Sequence, residues 1–320
     1  MGVYYLSADP LYCLRDATPH QQERLRAIDF LILGAQKSGT SWLSTIVWAH
    51  PLAFIPERKE LHFFNHRENY AKGVDWYLDA FDGGWDAPII GEATPDYLWN
   101  VPSDLEREAH SDRFFWEDQP HRVKALLPHV KLVACLRNPV DRAISAFHHQ
   151  VLRGRIAPWT RIRDSEFIDD WGFVSKGRYS KQLKVWLEAF PDDRLMTLVY
   201  EDDIRPDEAK LKTANRVFEF LGLNKVDAYD TLYLVHNAKP KPLTSYLRQI
   251  PGMRMTEYAK GRRQPIAELI IRAANKLAPD ALQKRLHLKV DEADREALQA
   301  RLECETDRLE QLLEREIPWK

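Results

Sequence analysis

Cysteine is scarce: the 320 residues include only three, Cys13, Cys135 and Cys304. An odd, scattered set excludes a disulfide framework and matches no zinc-ligand spacing, so a reducing compartment is predicted. Charge of one sign is also lacking. The 46 basic residues nearly cancel the 48 acidic ones and leave a net charge of −2. No protein-wide field exists to gather nucleic acid, and any anion site has to be local. No run approaches the roughly 18 apolar residues of a membrane span. The start, MGVYYLSADP, has no cationic residues followed by a long apolar stretch, and Leu6 stands where a myristoylation signal needs Ser or Thr. These absences predict a cytoplasmic protein. There is no internal repeat or low-complexity tract, and nothing specifies an oligomeric state. What is present is an ordinary globular composition, 44% hydrophobic and 29% charged, at a length that suits a large α/β unit.

Residues 1–27 read as an extension, with Thr18 as helix cap and Gln21 three residues on. Residues 28–320 read as one domain. Within it DFLILG at 29–34, KLVACLR at 131–137 and RLMTLVYED at 194–202 are short apolar runs of the kind found in buried parallel strands, and LAFIP is a shorter extended stretch. Helical patterns intervene at SWLSTIVWAH, Val140–Val151, YSKQLKVWLEAF and 207–222, the last closing at Gly222. Alternation of this kind predicts an α/β fold with a central, mostly parallel sheet flanked by helices, whose ligands sit at the carboxyl ends of the strands. Cys135 falls inside an apolar run and reads as core. Residues 238–265, rich in Pro and basic residues, read as a long surface loop, and 291–316 as one amphipathic helix carrying Leu298, Leu302, Leu309 and Leu313.

The sharpest local feature is Gly34-Ala35-Gln36-Lys37-Ser38-Gly39-Thr40-Ser41, lying between the first strand and a helix. Two glycines permit close backbone approach, the helix start offers unpaired N–H groups and a positive dipole end, and Lys37, Thr40 and Ser41 add charge and hydroxyls. This is an anion cradle on physical grounds. It is not a nucleotide-kinase loop, whose lysine directly follows the second glycine. Here Thr40 stands at that place and Lys37 comes two residues before Gly39. A phosphosulfate, with less charge on its terminal group, can be handled by lysine and backbone amides without a metal. A P-loop kinase or another nucleotide-dependent phosphoryl transferase is the competing reading.

The string QKSGTSWL resembles the 5′-phosphosulfate loop of sulfotransferases that use 3′-phosphoadenosine-5′-phosphosulfate (PAPS), and LRNPVDRAISAFHH at 136–149 resembles their 3′-phosphate motif. GVDWYLDAF, GEATPDY, GRYSKQLKVWLEAFP, VYEDD, FEFLGL and LLEREIPW are similar to the same family. The resemblance implies a P-loop-like three-layer fold and transfer of a sulfuryl group from PAPS, as co-substrate and without a metal, to a hydroxyl or amine of a glycan or other small acceptor. It implies nucleotide contacts from Lys37, Ser38, Gly39, Thr40, Ser41 and Trp42, and a 3′-phosphate held by Arg137 and Ser145. It also implies that Lys260-Gly261-Arg262 matches a late loop closing over the nucleotide. Arg137 at a strand end and Ser145 about two helical turns beyond it suit that role geometrically. A bridge from Arg137 to Asp141 is the bland alternative.

Arg58-Lys59-Glu60-Leu61-His62-Phe63-Phe64 is similar to the Lys-Glu-Pro-His-Phe-Phe string of the heparan-type, carbohydrate-directed branch, in which the Glu is taken as general base. Leu61 stands in place of Pro. The chemistry needs one group to take the acceptor proton, which Glu60 can do, and cations near the transferring and leaving groups, which Lys37 and Lys59 can supply. In an extended stretch Glu60 and His62 share a face. His62 as base oriented by Glu60 is therefore the runner-up, and an ion pair of Glu60 with Arg58 or Lys59 is the bland reading. His148 and His149 read as helix-surface residues. Trp42, Trp76 and Trp186 lie in core patterns, whereas Trp159, among Arg153, Arg155, Arg161 and Arg163, is the tryptophan to consider for an acceptor.

Overall fold

The computed structural model describes residues 17–58, 60–101, 119–164, 171–228 and 290–319, with Leu232 and a few isolated positions between 247 and 277. The loop expected over 238–265 lies outside this set apart from residue 247.

Five strands, β1 (Phe30–Gly34), β2 (Ala53–Phe54), β3 (Ile89–Ala93), β4 (Lys131–Leu136) and β5 (Leu195–Val199), form one sheet in the order β2-β3-β1-β4-β5. Every pairing is parallel. All five carboxyl ends therefore lie along one edge, and the chain reverses direction across the sheet beside β1, where such folds open a ligand crevice. DFLILG and KLVACLR form strands as predicted, LAFIP supplies the edge strand β2, and RLMTLVYED is extended only over Leu195–Val199, because Tyr200–Ile204 winds into a π-helical turn. The strand β3 does not stand out in the sequence, because Gly91 and Glu92 interrupt its apolar character.

Ten helices are labelled here: α1 (Pro19–Arg26), α2 (Thr40–Trp48), α3 (Arg67–Tyr70), α4 (Gly73–Leu78), α5 (Gln119–Leu126), α6 (Pro139–Leu152), α7 (Tyr179–Ala189), α8 (Asp207–Leu221), α9 (Glu292–Arg301) and α10 (Glu305–Leu313). They cover both sheet faces. Along β1 the side chains alternate: Leu31 and Leu33 join a core with α4, α5, α7 and α10, while Phe30 and Ile32 join a second core with α2 and α8. Burial on both faces is why these strands read as continuous apolar runs.

The Thr18 cap forms as expected, with a reciprocal bond to Gln21, and Gly222 ends α8 in the left-handed conformation. Helix α1 is tied onto the main unit through Gln21 and Asp75, and its Leu25 is buried in the core. The single C-terminal helix expected over 291–316 is instead two, α9 and α10, broken where Cys304 takes φ 60°. Asp291 and Asp294 cap α9 reciprocally, and Leu298 packs on α6 while Leu309 packs against α7.

Candidate active site

The loop after β1 is shaped by two glycines that no other residue could replace without displacement. A Cβ on Gly34 would lie 2.3 Å from the Pro95 carbonyl oxygen. Gly39 has φ 98° and passes so close to Tyr200 and Ile204 that a Cβ would meet both at 3.0 Å. Gly39 is also the N-cap of α2, and no side chain caps that end. The helix start is thus kept open to the strand edge, as the cradle requires. Ser38 and Thr40 are buried and Ser41 is half-buried. The Trp42 side chain does not line the cradle. It packs in the core and donates its indole N–H to the Leu232 carbonyl at 2.9 Å, which leaves its backbone amide as the group near the loop.

Arg137 follows β4 and reaches across to the same loop, donating to the Lys37 carbonyl at 3.3 Å. Its guanidinium carbon sits 5.1 Å from the centre of the Tyr200 ring. Its Nε is buried and has no hydrogen-bond partner among the described residues. A buried, unpartnered charged donor is costly unless something meets it, and an anion is what it suits. The bland alternative fails: Asp141 is taken by Arg295 at 3.0 Å. Asn138 caps α6 through its side chain, and the half-buried Ser145 follows on that helix.

Lys37 has φ 69° and is pressed into the same corner. Burial lowers its pKa, with Arg137 and then Arg153 lowering it further, while Glu60 acts in the opposite direction. Arg137 and Arg153 thus act on Lys37 as like charges, and Glu60 as the opposing one. Arg153, at the end of α6, belongs to this group, although in the sequence it reads as part of a basic loop. Arg161 and Arg163 of that loop are engaged by Asp291 and Asp294, and Arg155 stacks over Trp171. Trp159 is 69% exposed.

The segment 60–64 is not extended. Glu60 has φ 58° and His62 φ 52°, a conformation costing about 1–2 kcal/mol for each L-residue. The two side chains nevertheless meet, His62 Nε2 lying 3.6 Å from Glu60 Oε2, because two left-handed residues flanking Leu61 turn both the same way. Leu61 is buried. The other ring nitrogen of His62 faces Asn65 Oδ1 at 3.2 Å, and the ring stacks on His66 at 4.1 Å. Glu60 pairs with His62 rather than Arg58, whose guanidinium lies 4.6 Å from the centre of the Trp76 ring. Trp76, expected as core, is only partly buried and also carries Lys72 at 4.5 Å. Lys59, Lys260, Gly261 and Arg262 lie outside the described residues.

Two further acids complete the neighbourhood, and neither stood out in the sequence. Asp96 accepts from Lys176 at 2.8 Å and from the Gln36 amide at 3.4 Å, linking the loop after β3 to the cradle. Burial works to raise its pKa, but Lys176, His62 and His66 outweigh that and hold it below the ordinary carboxylate value. Glu92 in β3 is fully enclosed, accepts from Tyr77, Thr94 and Tyr97, and is pushed up by burial to about 7. Among the described residues no group of His, Cys, Asp and Glu is arranged to hold a metal, and no helix is long and apolar enough to cross a membrane.

Residues 27–271 match the sulfotransferase domain family. The chain belongs to that family. Among curated relatives of this sulfotransferase is the bifunctional heparan sulfate N-deacetylase/N-sulfotransferase 3 of Mus musculus, 30% identical over 207 residues. The match takes in 58% of this chain and 21% of that protein. The heparan sulfate glucosamine 3-O-sulfotransferase 3A1 of Mus musculus is 30% identical over 202 residues, 61% of this chain and 46% of the relative. The chain therefore spans from about a fifth to about half of the length of these relatives. A sulfotransferase from Alicyclobacillus acidocaldarius shares the fold, with a TM-score of 0.57 at 22% identity over 91% of this chain and 97% of that one.

Proposed function

We propose that this sulfotransferase takes the sulfuryl group of PAPS and places it on a hydroxyl or amine of a carbohydrate, with Glu60 as general base. The observation that carries the reading is the loop between β1 and α2, which Gly34 and Gly39 keep open at the carboxyl edge of the sheet, with Arg137 donating to the Lys37 carbonyl and its buried Nε left for an anion. Bound PAPS would supply an activated sulfuryl group and a phosphate leaving group. The loop amides and Lys37 would hold the 5′ end, and Arg137 with Ser145 the 3′-phosphate. Glu60 would remove the acceptor proton as the new S–O bond forms, while the bond from sulfur to the phosphate oxygen breaks. Carbohydrate is favoured as acceptor because segment 58–64 resembles that branch and the two relatives named above carry heparan sulfate in their names. The test is incubation with PAPS and a panel of glycan, phenol and amine acceptors, read by mass spectrometry. A sulfuryl gain on glycans is expected, and gain on phenols alone would refute the acceptor class.

Arg137→Ala is expected to weaken binding of adenosine 3′,5′-bisphosphate by about 1.5–3 kcal/mol, the range for a charged hydrogen bond. Calorimetry giving an unchanged affinity would remove Arg137 from the nucleotide site.

Turnover is expected to persist in excess EDTA, since lysine and arginine can neutralise the leaving group without a bound cation. Activity lost in chelator and restored by Mg²⁺ would favour phosphoryl transfer instead.

A further inference from the structure

The base segment has an unusual backbone and an unusual anchor. Holding both Glu60 and His62 in the left-handed region requires the surroundings to fix the chain there. The amides of the segment show what does so. The His62 N–H reaches Thr94 Oγ1 at 3.4 Å, and the Phe63 N–H reaches the Tyr97 hydroxyl at 3.0 Å. Each of those hydroxyls has one proton, and each gives it to Glu92: Thr94 to Oε2 at 2.8 Å and Tyr97 to Oε1 at 2.9 Å. A hydroxyl whose proton is committed in one direction turns its lone pairs in the other. A third donor, the Tyr77 hydroxyl, meets Glu92 Oε1 at 3.0 Å; its ring stacks on Phe63 at 4.5 Å, but among the described residues its hydroxyl makes no hydrogen bond to the base segment.

We infer that Thr94 and Tyr97 are positioning residues for the reaction, their hydroxyls, held in direction by Glu92, fixing the base segment. This rests on the reading that the segment supplies the base, whether through Glu60 or His62. Glu92 does not itself reach the acceptor, because it is 1% exposed and every side-chain bond it makes is to a hydroxyl of the enclosing wall. What it contributes is direction. Both hydroxyls are aimed at the segment because one carboxylate holds their protons, so loss of either relay lets the adjoining amide, and with it the base, drift. A shift of about an ångström at a reacting group costs on the order of 10²-fold in rate.

The arrangement contains its own control. Tyr77 and Tyr97 are both fully buried, and both bond the same carboxylate oxygen. Only Tyr97 passes the effect to the segment. The experiment compares Tyr97→Phe, Tyr77→Phe, Thr94→Val and Thr94→Ser by steady-state kinetics with PAPS and by amide hydrogen exchange at residues 62 and 63. Tyr97→Phe and Thr94→Val are expected to lower kcat by roughly 10–100-fold, with the KM for PAPS changed by less than about twofold. They should also speed exchange at Phe63 and His62 respectively. Tyr77→Phe should leave both readouts near wild type, and Thr94→Ser, which restores the hydroxyl, should recover kcat. Equal losses in Tyr77→Phe and Tyr97→Phe, or exchange at these amides unchanged in Thr94→Val, would overturn the inference. Should Tyr97→Phe fail to fold, the Thr94 pair decides alone. Glu60→Gln measured alongside separates the two claims: normal turnover there refutes Glu60 as base, while the exchange data still score the anchor.

Discussion

Glu60→Gln is expected to lower turnover by about 10²–10⁴-fold, the range for removing a general base. The substitution keeps the size and hydrogen-bonding reach of the side chain and removes only its basicity. Affinity for adenosine bisphosphate should scarcely fall. The carboxylate is about half exposed and would, if anything, repel the phosphates. The comparison with His62 makes the test decisive. The two side chains face each other at 3.6 Å, so either could take a proton and the other orient it. The surroundings differ, however. His62 is only 15% exposed, is sandwiched against His66 and is held at its second nitrogen by Asn65, the setting of an orienting group. Glu60 is open to an incoming acceptor. His62→Ala should therefore cost less than Glu60→Gln. Near-normal turnover in Glu60→Gln, together with an inactive His62→Ala, would exchange the two roles.

Reading the sequence alone succeeded where one residue type has one physical use. Gly34 and Gly39 had to be glycines because of what passes beside them, and the run DFLILG had to be a doubly buried strand, so the cradle could be read from eight consecutive residues. Arg137 was legible for the same reason, as a charge ending an apolar strand. The backbone of segment 60–64 was misdescribed. Its residues drew attention by their resemblance to a known string and were read as an extended stretch. Two left-handed residues replace it, because the anchoring hydroxyls come from Thr94 and Tyr97, some thirty positions away. Glu92 and Asp96 escaped notice since a carboxylate in the string GEATPDY carries no sign of its burial. Only the parallel pairing of β3 with β1 brings them under the cradle. Lys176 is a similar case: it is 7% exposed and locked onto Asp96, a partner that no local pattern around it announces. Local sequence records what a residue can do, whereas its partners are set by topology.

Lys37→Met is expected to lower turnover by about 10²–10³-fold, comparable to losing one preorganised donor at a developing charge. Affinity for adenosine bisphosphate should also fall, by roughly the 1.5–3 kcal/mol of a charged hydrogen bond, since the same ammonium would meet ground-state phosphate and leaving group. A pH profile isolates the charge from the packing. Burial, Arg137 and Arg153 lower the Lys37 pKa from the ordinary 10.5, so in the free enzyme this lysine is cationic at low pH and loses its charge at a pH below that value. Anion binding depends on the charged form. The alkaline limb of kcat/KM, which reports the free enzyme, should therefore fall below 10.5. The limb of kcat should lie higher, because bound anion restores the cation. Lys37→Arg stays charged throughout this range and should lack the limb even though its absolute rate is reduced. Glu60 opposes the lowering, so Glu60→Gln should move the limb of kcat/KM further down, an effect independent of any role as base. An alkaline limb that persists unchanged in Lys37→Arg would show that another group titrates there. Turnover within about twofold of wild type in Lys37→Met would remove the lysine from the transfer step, far short of the loss for a charge-stabilising donor.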